Sequence, residues 1–260
     1  MQKGTFAVWL LIIGMLIFVG LPRQAQCETE IETLTKQANQ GNANAQFNLG
    51  NSYLSGECVP QDYKQAFKWY EKAANQGNAN AQFNLGNMYY YGKCIPQDYK
   101  QAFKWYEKAA NQGDGEAQLN LGILYNSGNG VPQDYMQACR WYEKAANQGN
   151  INAQYCLGAM YSAGRGVPQD YMQACKWYEK AANQGNTNAQ VILGIMYAVG
   201  RDVPQNYIQA YKWLNIAGNS VDKAVITLRV ELNQVMTSTQ IEESKELVKR
   251  WWSERIDPTR

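Results

Sequence analysis

NANAQFNLGNMYYYGKCIPQDYKQAFKWYEKAANQG, residues Asn78 to Gly113, stands in almost the same letters immediately upstream at Asn42 to Gly77, and three looser copies follow it. The offset is legible in Ala45, Ala81, Ala117, Ala153 and Ala189, and again in Leu49, Leu85, Leu121, Leu157 and Leu193, each series recurring every 36 residues. A period between roughly 20 and 50 residues marks a stacked array of one supersecondary unit. Within the unit, Ala81, Leu85 and Tyr89 lie at i, i+4 and i+8 and draw one apolar stripe, with Gly86 beside it where a second helix can approach. Gly92 ends that helix, and Pro96 suits the turn that follows. Asp98 with Gln101 forms a capping-box pattern that recurs as Asp62/Gln65, Asp134/Gln137, Asp170/Gln173 and Asn206/Gln209. The second helix places Ala102, Trp105, Tyr106, Ala109 and Ala110 at helical spacing and stops at Gly113. Each unit is therefore an antiparallel helical hairpin, too small to bury its aromatics without a neighbour.

The series Ala81, Leu85, Gly86, Tyr89, Gly92, Pro96, Asp98, Ala102, Trp105, Tyr106, Lys108, Ala109, Ala110 and Gly113 resembles the Sel1-like repeat, a relative of the tetratricopeptide repeat. The resemblance covers residues 42–218 as five copies, 42–77, 78–113, 114–149, 150–185 and 186–218. It implies an all-α, right-handed α/α solenoid that serves as an adaptor or scaffold surface.

The flanks differ from the array. Residues 1–26 carry Lys3, an almost wholly apolar run from Phe6 to Leu21 and a polar stretch ending near small Ala25, the layout of an export signal. The expectation is a periplasmic or secreted protein. The alternative is an uncleaved N-terminal anchor, although the run is shorter than the roughly 18 residues of a spanning helix. Residues 27–41 read as an N-terminal capping half-repeat, with Ile31, Leu34 and Ala38 on one face. Residues 219–260 read as C-terminal capping helices. There Val221, Ala224, Val225, Leu228 and Leu232 form one stripe, Thr237 with Gln240 makes another capping box, and Glu242, Glu243, Lys245, Glu246, Lys249 and Arg250 supply a polar outer face.

Composition narrows the chemistry. Twenty-four basic and 22 acidic residues give a net charge of +2, with no basic stripe, so nucleic acid is not an expected partner. The chain has no histidine, which removes Ser-His-Asp and Cys-His catalysis and His-ligated metals. No cofactor is expected. Among the six cysteines, Cys58 and Cys94 hold equivalent loop positions of adjacent repeats, and Cys139 and Cys175 equivalent helix positions. Equivalent atoms of stacked hairpins lie about 10 Å apart, too far for a disulfide. Cys156 could instead bridge to Cys139 or Cys175, or all three could be small buried hydrophobes.

The first helix of each repeat has a flank not used for packing. Down the array it changes from amide-rich (Asn44, Asn48, Asn51, Ser55; Asn80, Asn84, Asn87, Tyr91) through Glu116, Asn120, Ile123 and Ser127 to more apolar sets, Asn152, Cys156, Ala159, Ala163 and then Asn188, Ile192, Ile195, Val199. Asn48, Asn84 and Asn120, with Asn51 and Asn87, are candidate ligands for the backbone of a bound polypeptide, and Tyr90 and Tyr91 candidate aromatic anchors. The expected function is a non-enzymatic protein–protein interaction scaffold. Two alternatives stand beside it. One is binding of an envelope glycan or peptidoglycan through the tyrosines. The other follows from the resemblance, since some cysteine-rich members of that family are described as weak β-lactamase-like hydrolases. Those members carry paired cysteines at the repeat junctions, absent here between Ala73 and Ala81, and Ser220-Val221-Asp222-Lys223 is a four-letter match without its companion motifs.

Overall fold

The computed structural model describes residues 23–200, 203–218 and 223–256. Most of the expected export signal lies outside that range. Among the described residues the chain is helical and has no strand. Helix α1 (Arg23–Asn39) precedes five hairpins: α2 and α3 (Ala43–Ser55, Tyr63–Asn75), α4 and α5 (Ala79–Tyr91, Tyr99–Asn111), α6 and α7 (Gly115–Ser127, Tyr135–Asn147), α8 and α9 (Ile151–Ala163, Tyr171–Asn183), and α10 and α11 (Thr187–Val199, Tyr207–Ile216). Helices α12 (Lys223–Val235) and α13 (Ser238–Ile256) follow. The chain divides into two compact units between Ala117 and Gln118. Helix α1 begins at Arg23, four residues before the boundary expected from the sequence.

Each of the ten repeat helices starts at a side-chain cap. Asn78 Oδ1 accepts from Ala81 N at 2.8 Å and Asp114 Oδ1 from Ala117 N at 2.7 Å, the pattern also seen at Asn42, Asn150 and Asn186. Asp98 Oδ1 accepts from Lys100 N at 2.9 Å and Gln101 N at 3.0 Å, so the repeated aspartate satisfies two backbone donors otherwise left open. The first helix of a repeat ends at a glycine such as Gly92, whose φ of 67° is open to glycine at little cost.

Within a hairpin the two helices touch through a glycine and a tyrosine. A Cβ on Gly86 would stand 2.6 Å from Tyr106 Cδ1, and the same contact joins Gly50 to Tyr70, Gly122 to Tyr142 and Gly158 to Tyr178. All four rings are buried. In the fifth repeat Leu214 replaces the tyrosine opposite Gly194. Trp105 is only half-buried, and the Lys108 ammonium lies 4.1 Å from its ring centroid, a cation–π cover repeated at Trp69, Trp141 and Trp177.

Successive repeats are joined by buried glutamines. In the first unit Gln46 Nε2 donates to Ala38 O at 2.9 Å while its Oε1 accepts from Gln76 Nε2 at 2.7 Å. Gln82 does the same with Ala74 O at 3.0 Å and Gln112 Nε2 at 2.7 Å. In the second unit Gln154 bonds Ala146 O and Gln184, and Gln190 bonds Ala182 O. Each glutamine thus ties the carbonyl end of one helix to the following hairpin.

The second unit closes on α12 and α13. Val225, Leu232 and Met236 are buried against α11, whereas Ala224 is exposed, and Val221 lies outside the described residues. Thr237 N donates to Gln240 Oε1 at 2.9 Å and Gln240 N to Thr237 Oγ1 at 3.3 Å, a reciprocal capping box that starts α13. Trp251 is buried with Trp213 and Leu193. Glu242, Glu243, Lys245, Glu246, Lys249 and Arg250 all face solvent.

Gly86→Ala forces a methyl into the Tyr106 ring and is expected to cost about 1–3 kcal/mol of stability, measured by denaturant unfolding. Gln82→Leu removes the side-chain bonds to Ala74 O, which keeps its donor Gly77 N, and to Gln112 Nε2, and is expected to cost about 0.5–1.5 kcal/mol for each bond. Its mark is faster amide hydrogen exchange in α3 and α4 while α12 and α13 keep their protection.

Candidate functional site

The amide-bearing flank of the first unit is partly spent on its own structure. Tyr70 Oη donates to Asn51 Oδ1, and Tyr106 Oη to Asn87 Oδ1, each at 2.7 Å. These two asparagines are therefore not the free ligands expected from the sequence. They are the acceptors that let a tyrosine be buried with its hydroxyl satisfied. Asn84 also bonds the Tyr70 hydroxyl, which favours the phenolate, but burial outweighs it and pushes the Tyr70 pKa up to about 12. Asn44 Oδ1 accepts from Asn78 Nδ2 at 2.9 Å, a link between adjacent repeats.

Asn48 is exposed. It lines an open cleft of about 710 Å³ between α1 and α2, with Thr29, Glu30, Thr33, Gln37 and Ser52. Tyr90 is half-buried in an aromatic cluster, its ring centroid 4.9 Å from that of Tyr91, 5.3 Å from Tyr99 and 6.3 Å from Tyr106. Tyr91 is 64% exposed and forms the open side of the cluster. Asn120, half-buried, belongs to the second unit. The structure thus brings Asn84, Asn87 and the tyrosines together on one hairpin and sets Asn48 in a separate cleft.

The cysteines depart from expectation. Cys27 and Cys58 form a disulfide with Cα atoms 5.0 Å apart. Cys139, Cys156 and Cys175 are free, so of the two alternatives the bridge from Cys156 to Cys139 or Cys175 is not formed. Each of the three has another neighbour: the Cys139 thiol donates to Arg165 O at 3.2 Å, the Cys175 thiol lies 3.5 Å from the Tyr197 hydroxyl, and Cys156 bonds the Tyr142 side chain. Burial pushes the Cys139 and Cys156 thiols up to about 11.

The Cys27–Cys58 bridge joins non-equivalent positions, which sequence comparison of equivalent residues could not find. Tyr63 stands one repeat after Cys27, and Cys94 one repeat after Cys58. Cys94 Sγ approaches Tyr63 O at 3.3 Å, so the same contact recurs without the second sulfur. Cys58 and Cys94 have φ of 64° and 60°, in loop positions that Gly130 and Gly166 fill in later repeats. Among the described residues no group of three or more potential ligands is placed to hold a metal, and no helix is long and apolar enough to cross a membrane.

Stacked antiparallel hairpins joined head to tail define an α/α solenoid protein. The Sel1 repeat model matches residues 43–78, 79–114, 115–150, 151–186 and 187–220, and the chain belongs to the Sel1 repeat family. Among solved structures it is similar to a protective antigen present in uropathogenic Escherichia coli strains, with 36% identity and a TM-score of 0.75 over 85% of this chain. The chain spans about half, 48%, of that relative. It is also similar to a Sel1 repeat protein from Oxalobacter formigenes, with 30% identity and a TM-score of 0.67 over 85% of this chain and 99% of the other. Comparison with curated proteins gives no significant match. Sel1 repeat proteins are generally protein-interaction scaffolds, and their solenoids are typically non-catalytic.

Three outcomes are expected. Tyr106→Phe removes the bond to Asn87 and lowers stability by about 1 kcal/mol, read from the denaturant midpoint. Iodoacetamide at pH 8 alkylates exposed Cys94 well before buried Cys139 and Cys175, read by peptide mass spectrometry. The Tyr70 pKa is raised in the folded state from 10.0 to about 12, so its contribution to stability is complete below pH 10 and declines from pH 10 to 12. A thermal midpoint that falls over that interval, and falls less in Tyr70→Phe, checks the sign.

Proposed function

We propose that this protein is a non-enzymatic interaction scaffold of the cell envelope or the secreted fraction, holding a protein partner along the first helices of its repeats. The observation that carries the reading is the combination of Asn48 in its open cleft with Asn84 and exposed Tyr91 on the adjacent hairpin. Neutral donors and acceptors with one aromatic anchor suit a polypeptide backbone, and they are held on helices fixed by the glutamine and glycine contacts. Export is supported by the layout of residues 1–26 and by the Cys27–Cys58 bridge, because disulfides persist in oxidising compartments. The absence of histidine supports a role without catalysis.

A second reading, binding of an envelope polysaccharide or peptidoglycan, is favoured by one feature. Tyr90, Tyr91 and Tyr99 meet edge to face and leave Tyr91 open, a platform of the kind that stacks on sugar rings.

Cross-linked capture from envelope extract separates the two. The protein is compared with a variant carrying Asn48→Ala, Asn84→Ala and Tyr91→Ala, with circular dichroism showing that both are folded. The scaffold reading expects a polypeptide retained by the first and lost by the second. Retention of glycan with no polypeptide would replace it by the polymer reading.

A further inference from the structure

Tyr70, Tyr106, Tyr142 and Tyr178 occupy one position of the repeat, each ring buried against the glycine of its own hairpin. What differs is the fate of the hydroxyl. That of Tyr70 is held by Asn51 and Asn84, one from the first helix of its own repeat and one from that of the next. Tyr106 Oη donates to Asn87. At the Tyr142 hydroxyl the next repeat offers Cys156. In the fourth repeat both neighbouring positions have become aliphatic: Ala159 stands in the register of Asn51 and Ile192 in that of Asn84.

Tyr178 is 3% exposed and its ring centroid lies 5.7 Å from that of Tyr155, yet no side chain or backbone oxygen among the described residues accepts its proton. Among the described residues the sealed side-chain polar atoms without a partner are the indole N–H groups of Trp213 and Trp251. The Tyr178 hydroxyl is not one of them, and it holds the place in the repeat at which the Tyr70 hydroxyl meets Asn51 of its own first helix and Asn84 of the next, here α8 and α10. Ala159 and Ile192 pack against the cluster that holds Tyr178, and on the Ile192 face of α10, at i+3 and i+7, Ile195 is 40% and Val199 59% exposed, an unusual degree for branched aliphatic residues on helices of a packed array.

We propose that this place is a docking subsite for an extended aliphatic stretch of a polypeptide, one of whose backbone carbonyls accepts from Tyr178. The inference rests on the scaffold reading and names the chemistry of one part of the surface. A single neutral donor set among Ala159, Ile192, Ile195 and Val199 calls for a single neutral acceptor with apolar groups on both sides. A peptide bond between aliphatic residues supplies that pair. A sugar brings several hydroxyls for which these residues have no partners, and an anion finds no cation in this set. The first unit meets its ligand through amides, whereas this subsite selects by branched side chains.

The test is fluorescence anisotropy on the full chain, with a labelled, end-capped heptapeptide of alternating isoleucine and alanine flanked by lysines, and a control with serine for each isoleucine. The isoleucine peptide is expected to bind saturably and the serine peptide far more weakly. Tyr178→Phe keeps the ring and is expected to weaken binding roughly three- to tenfold without lowering the thermal midpoint, because its hydroxyl has no internal partner. Ala159→Asn with Ile192→Asn rebuilds the amide pair of the first repeat, gives the hydroxyl an internal acceptor and is expected to remove peptide binding with the fold retained. Tyr106→Phe is expected to lower the midpoint and leave peptide affinity unchanged. Equal affinity of the protein and Tyr178→Phe, or no binding of the isoleucine peptide, overturns the subsite. Partner capture that still depends on Asn48, Asn84 and Tyr91 would then keep the scaffold reading, and loss of both would end it.

Discussion

A buried primary amide must have its donors and acceptor met, and this protein uses that requirement to join its repeats. Gln46, Gln82, Gln118, Gln154 and Gln190 are each 5% exposed or less. Within each unit the side chain reaches back to the last carbonyls of the preceding hairpin and accepts from the glutamine that follows the second helix of its own. Such a bond adds only about 1 kcal/mol net, but a glutamine amide buried without its partners costs more, and that asymmetry sets the register of one hairpin on the next. Stacking in the wrong register strands the amide.

The close approach of the two helices inside a hairpin depends on the same register. Gly86 allows the Tyr106 ring to lie against backbone, and this carries the Tyr106 hydroxyl to Asn87. A packing contact and a surface position are thereby coupled. Where the surface residue is asparagine the hydroxyl is consumed. Where it is alanine, as at Ala159, the Tyr178 hydroxyl has no such acceptor. One framework can thus carry different binding chemistry along its length through changes at two positions per repeat, without disturbing the glycine, the tyrosine or the glutamine that hold it.

The Cys27–Cys58 bridge extends this framework to α1. Ala38 and Leu34 give α1 a small apolar face against Leu49 and Tyr53. The disulfide closes a loop whose entropic constraint on the unfolded chain is about 3–4 kcal/mol in the chain-entropy treatment. Later repeats keep the geometry of the contact, as Cys94 beside Tyr63 shows, but rely on their own hairpin packing.

The sequence by itself determined the repeat, the helical hairpin, the caps and the class of the protein, because these rest on local periodicity and on residues three or four apart. It also carried the signal for the glutamine relay, an A-Q recurring every 36 residues, but not its meaning, since a polar residue at an apolar period reads as surface until the facing carbonyl is known. Asn51 and Asn87 were legible as one flank of a helix. That their oxygens are taken by tyrosines 19 residues away was decided by the crossing of the two helices. The cysteines show the same division. Equivalence in the repeat argued against Cys58 with Cys94 on grounds of spacing, while the pairing of Cys58 with Cys27 depends on how the start of one helix meets the loop of the next hairpin. Local rules fix what each segment becomes. Which polar groups remain free for a partner follows from contacts between segments, and only the tertiary structure sets those.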